Sequence, residues 1–255
     1  MSIKMQRFLL ITCLSLVCAG VTTSMAQAGQ LTFNIDPAQS HLTLTLETED
    51  GTPVSFAQTP GSDTTSLSGT LHVDLTASTI QFLPTGDTQF ALQSVPQSPL
   101  GDGSAGSAPA QYGLSISVPG AITGVVAGRS YVGDATSGVI PLAGGAYDAS
   151  QLTLGLLSGI TGYNLLVLGS PAVGSFNTNF PAPNSLTGGT FTESAGVYTI
   201  TAPILASGLS TVDGVTLVDV FSGQVVATAT VPEPASMLLA AIGVAMLFCC
   251  RRRRV

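Results

Sequence analysis

Between residues 29 and 230, apolar and polar positions alternate in short runs punctuated by glycine, proline and serine. Leu42, Leu44 and Leu46 alternate with Thr43 and Thr45, and Leu71, Val73 and Leu75 alternate with His72 and Asp74. A period of two puts successive side chains on opposite faces, which is the signature of a half-buried strand. Such runs predict strands at 31–35, 41–47, 66–75, 79–83, 88–94, 112–118, 121–126, 151–157, 163–169, 190–193, 197–202, 215–221 and 224–230. The first two flank Asp36-Pro37-Ala38-Gln39-Ser40 and read as a hairpin. No stretch of the body shows the 3.6-residue period of an amphipathic helix. Many short strands with frequent glycine turns predict an all-β, antiparallel sandwich or barrel-like domain. A Gly/Ser/Pro-rich stretch at 95–111 reads as a long exposed loop or a boundary between subdomains.

The two ends break this pattern. At the start, Lys4 and Arg7 precede an apolar run at 8–21, and Ala26-Gln27-Ala28 is a small-x-small site before Gly29. Residues 1–28 therefore read as a signal peptide cut by signal peptidase, with Ala26 and Ala28 flanking the cleavage position. Cys13 and Cys18 are not lipoprotein sites, because Thr12 and Val17 stand where a small residue would precede the cysteine. At the other end, 231–255 reads Val231-Pro232-Glu233-Pro234, then an apolar run at 235–250, then Arg251-Arg252-Arg253-Arg254. The two prolines hold an extended stub. Residues 235–250 are expected to form one C-terminal transmembrane helix of roughly 24 Å, short of the roughly 30 Å bilayer core. The four arginines act as a stop-transfer that keeps the C-terminus cytoplasmic and the body outside.

Val231-Pro232-Glu233-Pro234, Leu238-Leu239, Gly243 inside the span and the arginine cluster together resemble the C-terminal sorting signal of PEP-CTERM proteins. The resemblance implies an exosortase as partner, a membrane cysteine protease or transpeptidase. It also implies a destination at the envelope surface or in an exopolysaccharide matrix. It covers about a tenth of the chain and says nothing of what the body does.

Removing both signals changes the charge sharply. The body, 29–230, keeps thirteen acidic residues and a single basic one, Arg129, for a net charge of −12, and it contains no lysine. Nucleic acid binding gains its affinity from cations that release phosphate counterions, so nucleic acid is excluded as a partner. All four cysteines, at 13, 18, 249 and 250, lie in the two end segments, so the exported body must fold without disulfides.

Candidate chemistry in the body is sparse. Gly101-Asp102-Gly103-Ser104-Ala105-Gly106 matches G-x-G-x-x-G, but Pro96, Pro99 and Pro109 stand where the flanking strand and helix of a dinucleotide site would be. His72 and Asp74 share one strand face that Leu71, Val73 and Leu75 assign to solvent, and His41 has the same outward reading. Glu47, Glu49 and Asp50 beside Gly51 read as a charged hairpin tip, with a calcium site of non-EF-hand spacing as the alternative, and Asp213-Gly214 reads as a turn. No serine occupies a G-x-S-x-G elbow and the body has no cysteine nucleophile. The chain lacks tryptophan, which leaves Tyr112, Tyr131, Tyr147, Tyr163 and Tyr198 for any glycan stacking.

These readings predict an exported, surface- or matrix-directed structural or adhesive protein, non-enzymatic and without cofactor or metal. Exopolysaccharide joins the exosortase and signal peptidase among its expected partners. Residues 33–41, Phe-Asn-Ile-Asp-Pro-Ala-Gln-Ser-His, also resemble the opening strand of YceI-like lipid-binding barrels, with the order of serine and histidine changed. That resemblance implies the alternative of an extracytoplasmic apolar-ligand carrier.

Overall fold

The computed structural model describes residues 29–48, 63–92, 109–118, 120, 122–178, 180–212 and 215–230. Among these described residues sixteen strands follow one another with a single 3-10 turn between them. They line up end to end in eight staves, I to VIII. Stave I holds β1 (Gly29–Ile35) and β2 (His41–Thr48), and stave II holds β3 (Thr64–Ser68) and β4 (Thr70–Leu75). Stave III holds β5 (Thr79–Leu83), β6 (Thr88–Phe90) and β7 (Tyr112–Val118), and stave IV holds β8 (Ile122–Ser137) and β9 (Ile140–Ala143). Stave V holds β10 (Ala146–Asp148), the 3-10 turn Ala149–Gln151 and β11 (Leu152–Val167). Stave VI holds β12 (Ser170–Asn177), β13 (Phe180–Pro183) and β14 (Gly188–Ser194), while β15 (Val197–Val212) and β16 (Val215–Thr230) are VII and VIII.

Each stave neighbours the next in chain order, and β16 closes the ring by pairing with both β1 and β2. The fold is an eight-stave, up-and-down antiparallel barrel. Of the two architectures expected, the barrel is the one formed, because closure leaves no free edge at the end of the domain that carries Gly29 and Thr230.

The expected hairpin between residues 31–35 and 41–47 is not formed. Asn34 pairs with Thr228 and His41 with Gln224, so β1 and β2 run in the same direction along one partner strand. The Asp36–Ser40 segment is a bulge that keeps stave I on course. Asp36 accepts bonds from the Ala38 amide at 2.9 Å and the Gln39 side chain at 2.6 Å. Buried Ser40 then acts as a strand residue through its side chain. Its hydroxyl donates to the Val226 carbonyl at 3.0 Å and accepts from the Val226 amide at 2.9 Å.

Other breaks at mid-height are sealed in the same manner, as buried backbone polar groups require. Stave II bends at Gly69, whose φ of +106° and approach to the Asp87 carbonyl exclude a side chain. Asp87 then receives the Thr70 amide at 3.2 Å and the Thr70 hydroxyl at 2.6 Å. The Ser137 hydroxyl takes the Phe82 amide at 2.9 Å, and Asp134 takes the Thr85 amide at 3.1 Å. Stave III is interrupted between β6 and β7, which both pair with β8. There the buried Gln111 amide donates to the Phe90 and Tyr131 carbonyls and accepts from the Tyr131 N–H. Asn184 seals stave VI. It donates to the carbonyls of Ala149 and Pro203, each at 2.9 Å, and accepts from the Leu205 amide at 2.8 Å.

The interior is one continuous apolar core. Inward positions follow the period of two, so in β4 Leu71, Val73 and Leu75 are buried while Thr70, His72 and Asp74 are half-buried. Phe33, Val73, Ile80, Ile140 and Ile200 fill the end near Gly29, and Ala227 and Ala229 on β16 make room for them. Tyr112, Leu114, Leu44, Leu46 and Phe221 fill the other end.

Candidate functional site

The barrel interior is where a closed β fold of this type would hold a ligand. At mid-height an apolar space of about 70 Å³ is bounded by Ile35, Leu71, Phe90, Leu156, Ile204 and Val225. A cavity known to take up a single benzene molecule measures about 150 Å³, so this space is too small for an acyl chain in the conformation seen.

Beyond it, away from Gly29, lies a polar pocket of about 20 Å³ lined in part by Tyr112, Tyr131, Thr161, Thr178 and Asp219. Its volume suits one water molecule. The hydroxyls form a chain: Tyr131 Oη lies 2.6 Å from Thr161 Oγ1, which in turn bonds Thr178 Oγ1. Burial holds the Tyr112 phenol far above the ordinary value, with the Tyr131 phenol adding to the shift. Burial also raises Tyr131, opposed by its bonds to Thr161 and Thr178 and reinforced by the Asp219 charge. Both side chains are therefore neutral phenols over the physiological range. The rings of Tyr112, Tyr131 and Phe90 pack within 6 Å of one another, centroid to centroid, and fix the phenols in place.

On the outer wall, β11 slips register between Leu156 and Ile160, and Ser130 opposite adopts a φ of +58°. This double irregularity opens a shallow groove of about 390 Å³ that includes Leu157, Ile160 and Asn177. Thr178 borders both this groove and the internal polar pocket.

The residues singled out in the sequence fall elsewhere. His41 is exposed on β2, and His72 and Asp74 are half-buried on the outward face of β4. Among the described residues no group of three or more His, Cys, Asp and Glu comes together. Tyr112, Tyr131 and Tyr147 belong to the core and are unavailable for glycan stacking, while Tyr163 and Tyr198 are half-buried. The polar pocket was not foreseen. The visible signal was Asp219, whose neighbours Leu217 and Phe221 at a spacing of two place it on the inward face. Gly101–Gly106, Glu49–Gly51, Asp213-Gly214, Ala26, Ala28, Val231–Pro234, 235–250 and Arg251–Arg254 lie outside the described residues. No helix among the described residues is long and apolar enough to cross a membrane.

Comparison with known protein families gives one match. The PEP-CTERM protein-sorting motif matches residues 230–254. The tail is a PEP-CTERM sorting motif. No curated protein and no solved structure matches the chain. The PEP-CTERM motif implies an exported, membrane-associated protein that an exosortase-type system processes and sorts to the cell surface. Thr230, the last residue of β16, pairs with Val197, so the motif begins where the final stave ends.

Proposed function

We propose that this protein is a structural or adhesive component of the cell surface or its matrix, exported by the signal peptide at 1–28 and delivered by its C-terminal signal. The observation that carries this reading is the PEP-CTERM motif at 230–254, attached directly to the last stave of the barrel. In this reading the helix at 235–250 holds the body at the outer face of the membrane. Pro232 and Pro234 present an extended stub to the exosortase, and Arg251–Arg254 stop translocation. The body acts through its outer surface and has no catalytic role.

A second reading, the apolar-ligand carrier, draws support from the closed barrel and its apolar interior. It would require the 70 Å³ space to enlarge severalfold, because the core side chains now occupy the volume of an acyl chain. Organic extraction of the purified protein would decide it: a stoichiometric lipid establishes the carrier and displaces the structural reading.

Replacing Pro232-Glu233-Pro234 by alanines tests the delivery step. Export and membrane insertion should persist while processing stops. A membrane-bound form heavier by about 2–3 kDa than the processed body should then accumulate, at roughly 0.1 kDa per residue, with helix free to extend outward. Blots of membrane and medium fractions from the native host read this out. An alanine variant processed and distributed like the wild type would leave a simple membrane anchor in place of a sorting signal.

A further inference from the structure

The outer surface of the barrel is sharply divided. From residue 149 to residue 212, covering most of stave V and all of staves VI and VII, the only charged residue is Glu193. The body elsewhere carries twelve acidic residues and one arginine. Of the ten large hydrophobic residues that are exposed among the described residues, eight lie in this same sector, including Leu157, Ile160, Leu168, Val173, Leu205 and Leu209. Exposed apolar residues scattered singly need no explanation, whereas their concentration in one uncharged sector marks an interaction surface.

The sector also contains a strand edge. β14 pairs with β15 through Thr190 and Thr201, and a last bridge joins Asn184 to Ala206. Extending that register brings Val212, where β15 ends, level with about residue 178. β12 thus lies past the end of β15. Among the described residues it pairs only with β11, from Val167–Ser170 to Ile160–Asn177. All eight of its residues are exposed or half-buried, and none is charged. Natural edge strands are ordinarily blunted by charge, a covering element or a bulge, because their free N–H and C=O groups template another strand.

We propose that β12 is a homotypic docking edge, through which two copies of this protein join by antiparallel strand addition. The free groups of a strand edge are satisfied best by another polypeptide strand. Two bodies of net charge −12 repel over most of their surfaces, and the uncharged sector is where a second copy approaches without that penalty. A two-fold axis across β12 makes the contact isologous: one strand serves both partners and the dimer closes on itself. The dimer presents two bodies with their polar, acidic sectors facing away from the seam.

The test uses protein as the native host exports it. Single cysteines placed at Val173, Ser175 and Asn177, three exposed positions of β12, should give oxidised dimers on non-reducing gels, strongest at the position nearest the two-fold axis. The wild type, whose only cysteines lie in the two end segments, and Ser78→Cys, at an exposed site on the turn between β4 and β5, set the background. Sedimentation of the wild type should show a monomer–dimer equilibrium. Val173→Asp, at a residue about half exposed, should weaken it at least tenfold while leaving the unfolding midpoint unchanged at concentrations where the wild type is monomeric. A wild type that stays monomeric at every concentration overturns the proposal. So does a dimer indifferent to Val173→Asp, or one whose cysteines cross-link no better on β12 than at Ser78. Sorting is read separately in the blotted fractions, so failure of this pairing is distinct from failure of the delivery reading.

Discussion

The two ends of the barrel solve one problem by different means. At the end carrying Gly29 and Thr230, eight staves pair without interruption around Phe33, Val73, Ile80, Ile140 and Ile200, all fully buried. At the other end the seam between staves VI and VII stops at Asn184 and Ala206, and stave III is broken before β7. There, side-chain amides and hydroxyls take over the work of the missing ladder, through Gln111, Asn184 and the Tyr131–Thr161–Thr178 chain. The first end is held by backbone pairing and apolar volume. The second keeps long ladders between β7 and β8, β8 and β11, β15 and β16, and β16 and β2. At the breaks in staves III and VI, however, a few polar side chains each carry several bonds, so the stability of those seams is concentrated in single residues.

The largest test of that difference is alkaline pH. Burial raises the phenols of Tyr112 and Tyr131 at the second end and of Tyr147 at the first. A raised phenol stabilises the fold fully below its unfolded value of about 10, and that contribution is lost as the pH rises beyond it. Above about pH 10 the protein should therefore unfold, with phenolate absorbance and loss of strand circular dichroism rising together. If Tyr112 and Tyr131 ionise before the strand signal changes, the two ends are not one cooperative unit.

Asn184→Ala should come next. It leaves the Ala149 and Pro203 carbonyls and the Leu205 amide without their bonds, and should cost about 3 kcal/mol or more in urea unfolding. A loss below about 1 kcal/mol would mean that water seals the seam equally well. Gly69→Ala should cost roughly 2–3 kcal/mol, from backbone strain and a Cβ placed 2.3 Å from the Asp87 carbonyl oxygen. The smallest effect is a gain. Leu168 and Ala195 hold φ near +50° in two-residue turns, and Leu168 is well exposed. Leu168→Asn should stabilise by about 0.5–1 kcal/mol, since asparagine accepts that backbone more readily. No gain there would show that the β11–β12 turn lies outside the cooperative unit.

Strand propensity and the period of two were legible in β2, β4, β5 and β7, where one face meets the core, but not in the second halves of β8 and β15, which the sequence reading ended at 126 and 202. The reading went astray at glycine. Residues 215–221 and 224–230 read as two strands separated by Ser222-Gly223, yet β16 runs through both. Gly223 is a close-approach site, where a Cβ would fall 2.1 Å from the His41 carbonyl oxygen. Similarly, β11 continues through Ser158, Gly159 and Gly162, where the sequence suggested a gap. Short strands at Ile140–Ala143 and Phe180–Pro183 escaped notice because four residues hold too little periodicity to register.

The sequence alone determined the C-terminal sorting motif, the strand-rich class, the acidic charge and the inward set in β2 and β4. These depend on residues near one another in the chain, on binary pattern and on total charge. Only the tertiary structure decided that the sheet closes, that β1 and β2 are one stave, and that Asn184, Gln111 and Ser40 replace ladder bonds. Those depend on partners such as Ser40 and Val226, 186 positions apart, and pairing at that separation is set by register and core volume together, which no local pattern encodes.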